Sequence, residues 1–234
     1  MNIYTERIKQ KSFYSPINSR IIKKSHEYRV LATLRYLFPE KFSTMILNDA
    51  PDLQDFTNNV GIEVTDAVSE NDMNASRIFS ELHKYNSREQ KKKIEKIELC
   101  GYSYTQNNQI ATIQATGIGN DEKLIFQKII RKKMEKLQSY KSLFNRIGLS
   151  ILLPEIPSTY AENHFQKWLS DVFKEYDSTF DFVYVISERF CNYYDSKNTP
   201  YVKTSITKED DLCLKKIGRM TAESEISLAD IEWQ

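Results

Sequence analysis

The chain has 234 residues, 40% of them hydrophobic and 12% aromatic, which is enough apolar material for one substantial core and excludes a disordered or low-complexity protein. Its net charge of +1 means that the field of the whole molecule does not announce a polyanion partner. No apolar run reaches the roughly 18 residues of a membrane span and the first residues lack the apolar core of a signal peptide, so a cytoplasmic protein with no membrane attachment is expected.

Cys100, Cys191 and Cys213 are odd in number and form no CxxC pair, which argues for reduced thiols and against a disulfide framework or a zinc site. Charge is unevenly spread. Residues 1–24 carry Arg7, Lys9, Lys11, Arg20, Lys23 and Lys24 against Glu6 and read as a basic arm, whereas residues 207–234 read as an acidic extension.

Between these ends the elements follow in order. Ser25–Phe38 places Val30, Leu31, Leu34, Leu37 and Phe38 at helical spacing and stops at Pro39. A short strand is expected at Thr44–Leu47, then a β-hairpin over residues 50–67. Residues 68–100 read as a polar helical insertion and Ala111–Thr116 as a strand. Residues 122–140, free of Gly and Pro, predict one helix that buries Phe126, Ile129, Ile130, Leu137 and Tyr140. Leu149–Leu153 and Phe180–Ser187 read as strands, and Thr159 with Glu162 makes a capping box opening a helix over Tyr160–Tyr176. Strand, helix, strand in this order calls for a right-handed parallel crossover. Residues 25–206 are therefore expected to form one α/β domain.

The hairpin holds the chemistry. Val60, Ile62 and Val64 alternate, so Glu63 and Thr65 point to the other face, and Asn58-Asn59 supplies residues that tolerate the positive φ of a tight turn. Pairing across that turn sets Asp52 beside the Glu63–Thr65 end. Two carboxylates so close repel unless a divalent cation offsets their charge.

Pro51-Asp52 followed by Glu63-Val64-Thr65, in this order of elements, resembles the PD-(D/E)XK superfamily of restriction-endonuclease-like nucleases over roughly residues 20–190. The resemblance implies a mixed central sheet flanked by helices, with 68–100 as a helical insertion. It also implies a DNA endonuclease dependent on Mg²⁺ or Mn²⁺, at work in bacterial defence or a mobile element, with a homodimer expected by analogy. Asp52 and Glu63, with Glu27 from the first helix and a main-chain carbonyl, are the implied metal ligands. Basic side chains at Lys23, Lys24, Lys128 and Lys136 are assigned to the phosphate backbone.

The motif lysine is Thr65 here. A hydroxyl can orient a water but carries no positive charge for the transition state. Some members of the superfamily draw that lysine from a neighbouring helix, and Lys128, Lys132 and Lys136 recur at intervals of four; Lys132 is the expected substitute. The competing readings are a catalytically inactive nuclease-fold module that binds nucleic acid or a protein, and a scaffold with no nucleic-acid role. In those readings Glu63 is an outward strand residue, Asp52 a turn former and Glu27 a first-turn carboxylate.

Overall fold

The structure is a computed structural model and describes residues 19–107, 110–115, 122–153, 157–195 and 201–233. Residues 1–18, most of the expected basic arm, lie outside them. Helix α1 (Ser19–Leu37) leads into a single turn, α2 (Pro39–Phe42), and then into strands β1 (Ile46–Leu47), β2 (Leu53–Asp55) and β3 (Val60–Asp66). Next come α3 (Glu70–Glu81), α4 (Ser87–Leu99) and the hairpin β4 (Tyr102–Asn107) and β5 (Ile110–Ala115). Then follow α5 (Glu122–Met134), α6 (Leu137–Lys141), β6 (Arg146–Leu152), α7 (Thr159–Phe173), β7 (Phe182–Ile186), β8 (Phe190–Asp195), β9 (Val202–Ser205) and α8 (Lys208–Ala222).

Seven strands form one mixed sheet in the order β1-β2-β3-β6-β7-β8-β9. β6 runs parallel to both β3 and β7, and the remaining neighbours are antiparallel. The β6–α7–β7 unit is parallel, as expected for a crossover. Because side chains alternate along a strand, the sheet has a core on each face, and β6, β7 and β8 contribute to both. Ile62, Val64, Phe182, Tyr184 and Ile186 pack with Leu31 and Leu34 of α1 and with Leu214 and Ile217 of α8. Ile147, Leu149, Val183 and Val185 pack on the other face with Ile130 of α5, Leu137 of α6 and Trp168 of α7. No helix among the described residues is long and apolar enough to cross a membrane.

The chain's tail is part of this domain. Helix α8 lies against α1 so closely that a Cβ at Gly218 would fall 2.5 Å from the Ser25 carbonyl oxygen and 2.8 Å from the Arg29 nitrogen. Glycine is required there by backbone proximity. α1 is thus enclosed between the sheet and α8, which accounts for Ala32 and Thr33 being as buried as Val30. The segment expected as an acidic extension supplies Leu214, Ile217, Met220, Leu228 and Ile231 to the same core as Val30.

The insertion is helical as expected, and each of its helices opens with a capping box, Ser69 with Asp72 and Asn86 with Glu89. It extends through the β4–β5 hairpin and has a small core of its own, Ala75, Ile78 and Ile97. Two boundaries differ from the sequence reading. α7 is capped by Ser158, whose hydroxyl accepts from the Ala161 amide at 3.1 Å. Glu162 therefore lies one position beyond a capping box and pairs with Lys203 of β9 instead. The helix expected over 122–140 breaks after Met134 and restarts at Leu137. None of the three cysteines is in a disulfide, and Cys191 and Cys213 are buried.

Candidate active site

The register of the hairpin sets the geometry. Leu53 pairs with Ile62, and there the ladder ends, since β2 begins at Leu53 while β3 runs on to Asp66. The residue that would come opposite Val64 is Pro51, which has no N–H to continue the ladder. Val64's amide instead donates to Asp52 Oδ2 at 2.8 Å. Beyond the end of β2, the edge of β3 is thereby left open to side chains from both faces of the sheet.

Side chains from several parts of the fold meet at that edge. Glu63, only 3% exposed, comes from β3, and Asp52, 7% exposed, from the turn before β2. From α5, Lys133 Nζ donates to Glu63 Oε1 at 2.5 Å and to the Val64 carbonyl oxygen at 3.0 Å. Lys136 Nζ, in the break after α5, lies 4.0 Å from the same Glu63 oxygen. Tyr140 of α6 lies beside Glu63, and burial, reinforced by that carboxylate, raises its phenol's pKa. From α1, the Lys23 ammonium stands 3.1 Å from Glu27 Oε1 and 3.8 Å from Asp52 Oδ1.

The balance of charge is unfavourable for Asp52. Burial, with Glu63 and then Glu27 adding repulsion, pushes its carboxyl from 3.8 to about 6, against the opposing pull of the Val64 amide and Lys133. The hydrogen bond to Glu27 raises the pKa of Lys23. The His26 ring, one residue before Glu27, lies with Nδ1 2.8 Å from Asp66 Oδ2 at the end of β3.

Asp52, Glu63 and Glu27 are thus brought into one neighbourhood, although Lys23 stands between Glu27 and Asp52. Among the described residues no group of three or more His, Cys, Asp or Glu side chains is arranged to hold a metal ion. The expected convergence of three acids on one pocket is replaced by two carboxylates and a main-chain carbonyl. That set still fits Mg²⁺ or Mn²⁺, which bind through one or two carboxylates and keep waters for the remaining positions. Glu63 Oε1 and the Val64 carbonyl already share a positive charge, the ammonium of Lys133.

The lysine that meets Glu63 is Lys133, one position beyond the expected Lys132. Taking Ile130, which is fully buried, as the reference, Lys132 comes about 200° round the helix and Lys133 about 60°. Lys132 is therefore exposed, with its charge acting on Glu70. Lys128, on the same outer stripe, binds Glu70 at 3.0 Å rather than facing the site. Lys136 escapes the stripe because the helix breaks before it. Thr65 is half-buried two residues beyond Glu63 on the same face, and Lys24 is exposed on α1. Lys133 and Tyr140 were not selected from the sequence. Spacing from the buried Ile130 and Met134 was the available signal for Lys133, and Tyr140 was visible only as a core residue.

What the fold and the cluster define is a mixed α/β domain with a carboxylate–lysine site at one open strand edge. Comparison with protein-family models, with curated proteins and with solved structures returned no match.

Proposed function

We propose that this chain is a Mg²⁺- or Mn²⁺-dependent nuclease of the restriction-endonuclease-like class, hydrolysing phosphodiester bonds of DNA. The observation that carries the reading is the meeting of Asp52, Glu63 and the Val64 carbonyl at the open edge of β3 with a lysine ammonium among them. Asp52 and Glu63 would hold the metal, which when bound supplies Lewis-acid charge to a phosphate oxygen and activates water near neutral pH. Lys133 brings the positive charge that Thr65 lacks. An ammonium next to the reacting phosphate stabilises charge as it develops, and it does so most strongly where water is excluded. Tyr140, buried beside Glu63, limits the space in which that carboxylate can turn. Lys136, Lys23 and Lys24 stand at the surface of the same region and suit contacts with backbone phosphates, which would make affinity fall with salt and depend little on sequence.

Purified protein incubated with supercoiled plasmid and Mg²⁺ or Mn²⁺ is expected to nick or linearise it. Asp52→Ala and Glu63→Ala are each expected to slow cleavage by roughly a thousandfold or more, the equivalent of losing several kcal/mol of metal-borne stabilisation. Cleavage that survives in both variants removes the assignment. A second reading, a catalytically inactive nuclease-fold module that binds nucleic acid, draws on one feature: Lys133 engages both Glu63 and the Val64 carbonyl. Salt-sensitive DNA binding with neither cleavage nor Mn²⁺ binding would select it.

A further inference from the structure

The candidate metal site contains a competitor for its own cation. Lys133 Nζ contacts two of the three oxygen donors assigned to the metal, Glu63 Oε1 at 2.5 Å and the Val64 carbonyl at 3.0 Å. Its charge also favours the ionised form of the third donor, Asp52. A divalent ion bound at about 2.0–2.1 Å from the same oxygens cannot share them with an ammonium, because the two cations would be forced to within a few ångströms of each other in a buried setting.

Resting on the nuclease reading above, we propose that Lys133 is an ammonium lock: it holds the cation seat in the metal-free chain and must turn outward for a divalent ion to enter, thereby setting the metal affinity. The surroundings permit this movement. Lys133 sits in the last turn of α5, one residue before the helix ends at Met134, and its side chain is 16% exposed, so the ammonium has a route to solvent without unpacking the helix. Glu63 keeps close neighbours when Lys133 leaves, since Tyr140 lies beside it and Lys136 stands 4.0 Å away. The neighbouring cations do not fill the same seat. Lys23 is 73% exposed and pairs with Glu27 and Asp52, and Lys136 is 58% exposed and out of hydrogen-bonding range of Glu63. The same side chain thereby has two opposed effects: it weakens metal binding by occupying the seat, and once turned out it provides the positive charge missing at Thr65.

The test is calorimetric titration of Mn²⁺ into the whole chain without nucleic acid, at about pH 8, where Asp52 is ionised. Removing two charge-assisted hydrogen bonds that metal entry must break should make Lys133→Met bind Mn²⁺ roughly tenfold to a hundredfold more tightly than the parent. Its plasmid cleavage should nonetheless fall. Lys133→Gln, which keeps a polar end without the charge, should shift affinity in the same direction, and Lys136→Met should shift it by less than about threefold, as suits a screened surface charge. Equal or weaker binding by both Lys133 variants, with parent binding that Glu63→Ala abolishes, overturns the lock and leaves the nuclease reading standing. A gain in Lys136→Met as large as that in Lys133→Met overturns it too, by pointing to the general field rather than the seat. If neither the parent nor any variant binds Mn²⁺, the lock and the metal site fall together.

Discussion

Two clusters of charge grow from the same helix, and they have opposite characters. On α1, Arg29 reaches α8 and donates to Asp211 at 2.6 Å, with both side chains nearly sealed from water and Lys215 2.9 Å from the other Asp211 oxygen. Two residues earlier, Glu27 belongs to the group in which burial, then Glu63 and, more weakly, Glu27 raise the pKa of Asp52. The first cluster pairs its buried anion with two cations and joins two helices. The second keeps its anions close together, so some of their repulsion remains in the folded state. Buried charge holds the fold together where it is paired, and where it is left partly uncompensated it marks a place suited to receiving a cation.

The sharpest way to break this contrast is to unpair the first cluster. Arg29→Met removes one of the two cations beside the buried Asp211, leaving Lys215 at 2.9 Å, and unfolding in urea should show a loss of about 3–5 kcal/mol. An unchanged midpoint would mean that the pair contributes nothing to holding α1 and α8 together.

The second cluster should respond in the other direction. Asp52 has a folded pKa of about 6 against an ordinary 3.8, so the folded chain binds this proton more tightly than the unfolded chain. Its contribution to stability is therefore complete at acid pH and is lost as pH rises through the interval between those two values. Asp52→Asn, which keeps an oxygen for the Val64 amide, should be more stable than the parent at pH 8 by up to about 3 kcal/mol, and the advantage should disappear below the ordinary carboxyl pKa. Thermal melts of the two proteins across pH check this; a variant less stable at pH 8 would show that Asp52 is well compensated after all. The smallest effect is expected at the surface. Lys23→Ala removes a bridge between Glu27 and Asp52 made by a largely exposed lysine, and the change in stability should stay below about 1 kcal/mol because water and salt screen it.

Particular residues show how far the chain could be read in advance. Val60, Ile62 and Val64 alternate in a pattern that is entirely local, so the strand and the face carrying Glu63 were legible. The pairing that sets Asp52 beside it followed from a short turn, which is also local. An interval of four identifies a stripe on a helix without saying which stripe faces the protein, so spacing alone favours Lys132 over Lys133. That orientation is set by where Phe126, Ile130 and Met134 find their core. The break after Met134, which frees Lys136 to approach Glu63, left no Gly or Pro to announce it.

The tail teaches the same lesson. Leu214, Ile217 and Met220 have helical spacing, yet their acidic neighbours give the segment the composition of an appendage; its apolar face is claimed by α1, which needs a cover on its second side. The sequence alone determined what depends on neighbours along the chain: the α/β alternation, the carboxylate hairpin and the helical character of residues 68–100. Only the tertiary structure decided which lysine meets Glu63, that α8 closes over α1 through Gly218, and that Asp52 takes up the amide left by β2. These are contacts between residues up to about 200 positions apart, and packing, rather than any local preference of the backbone, selects among them.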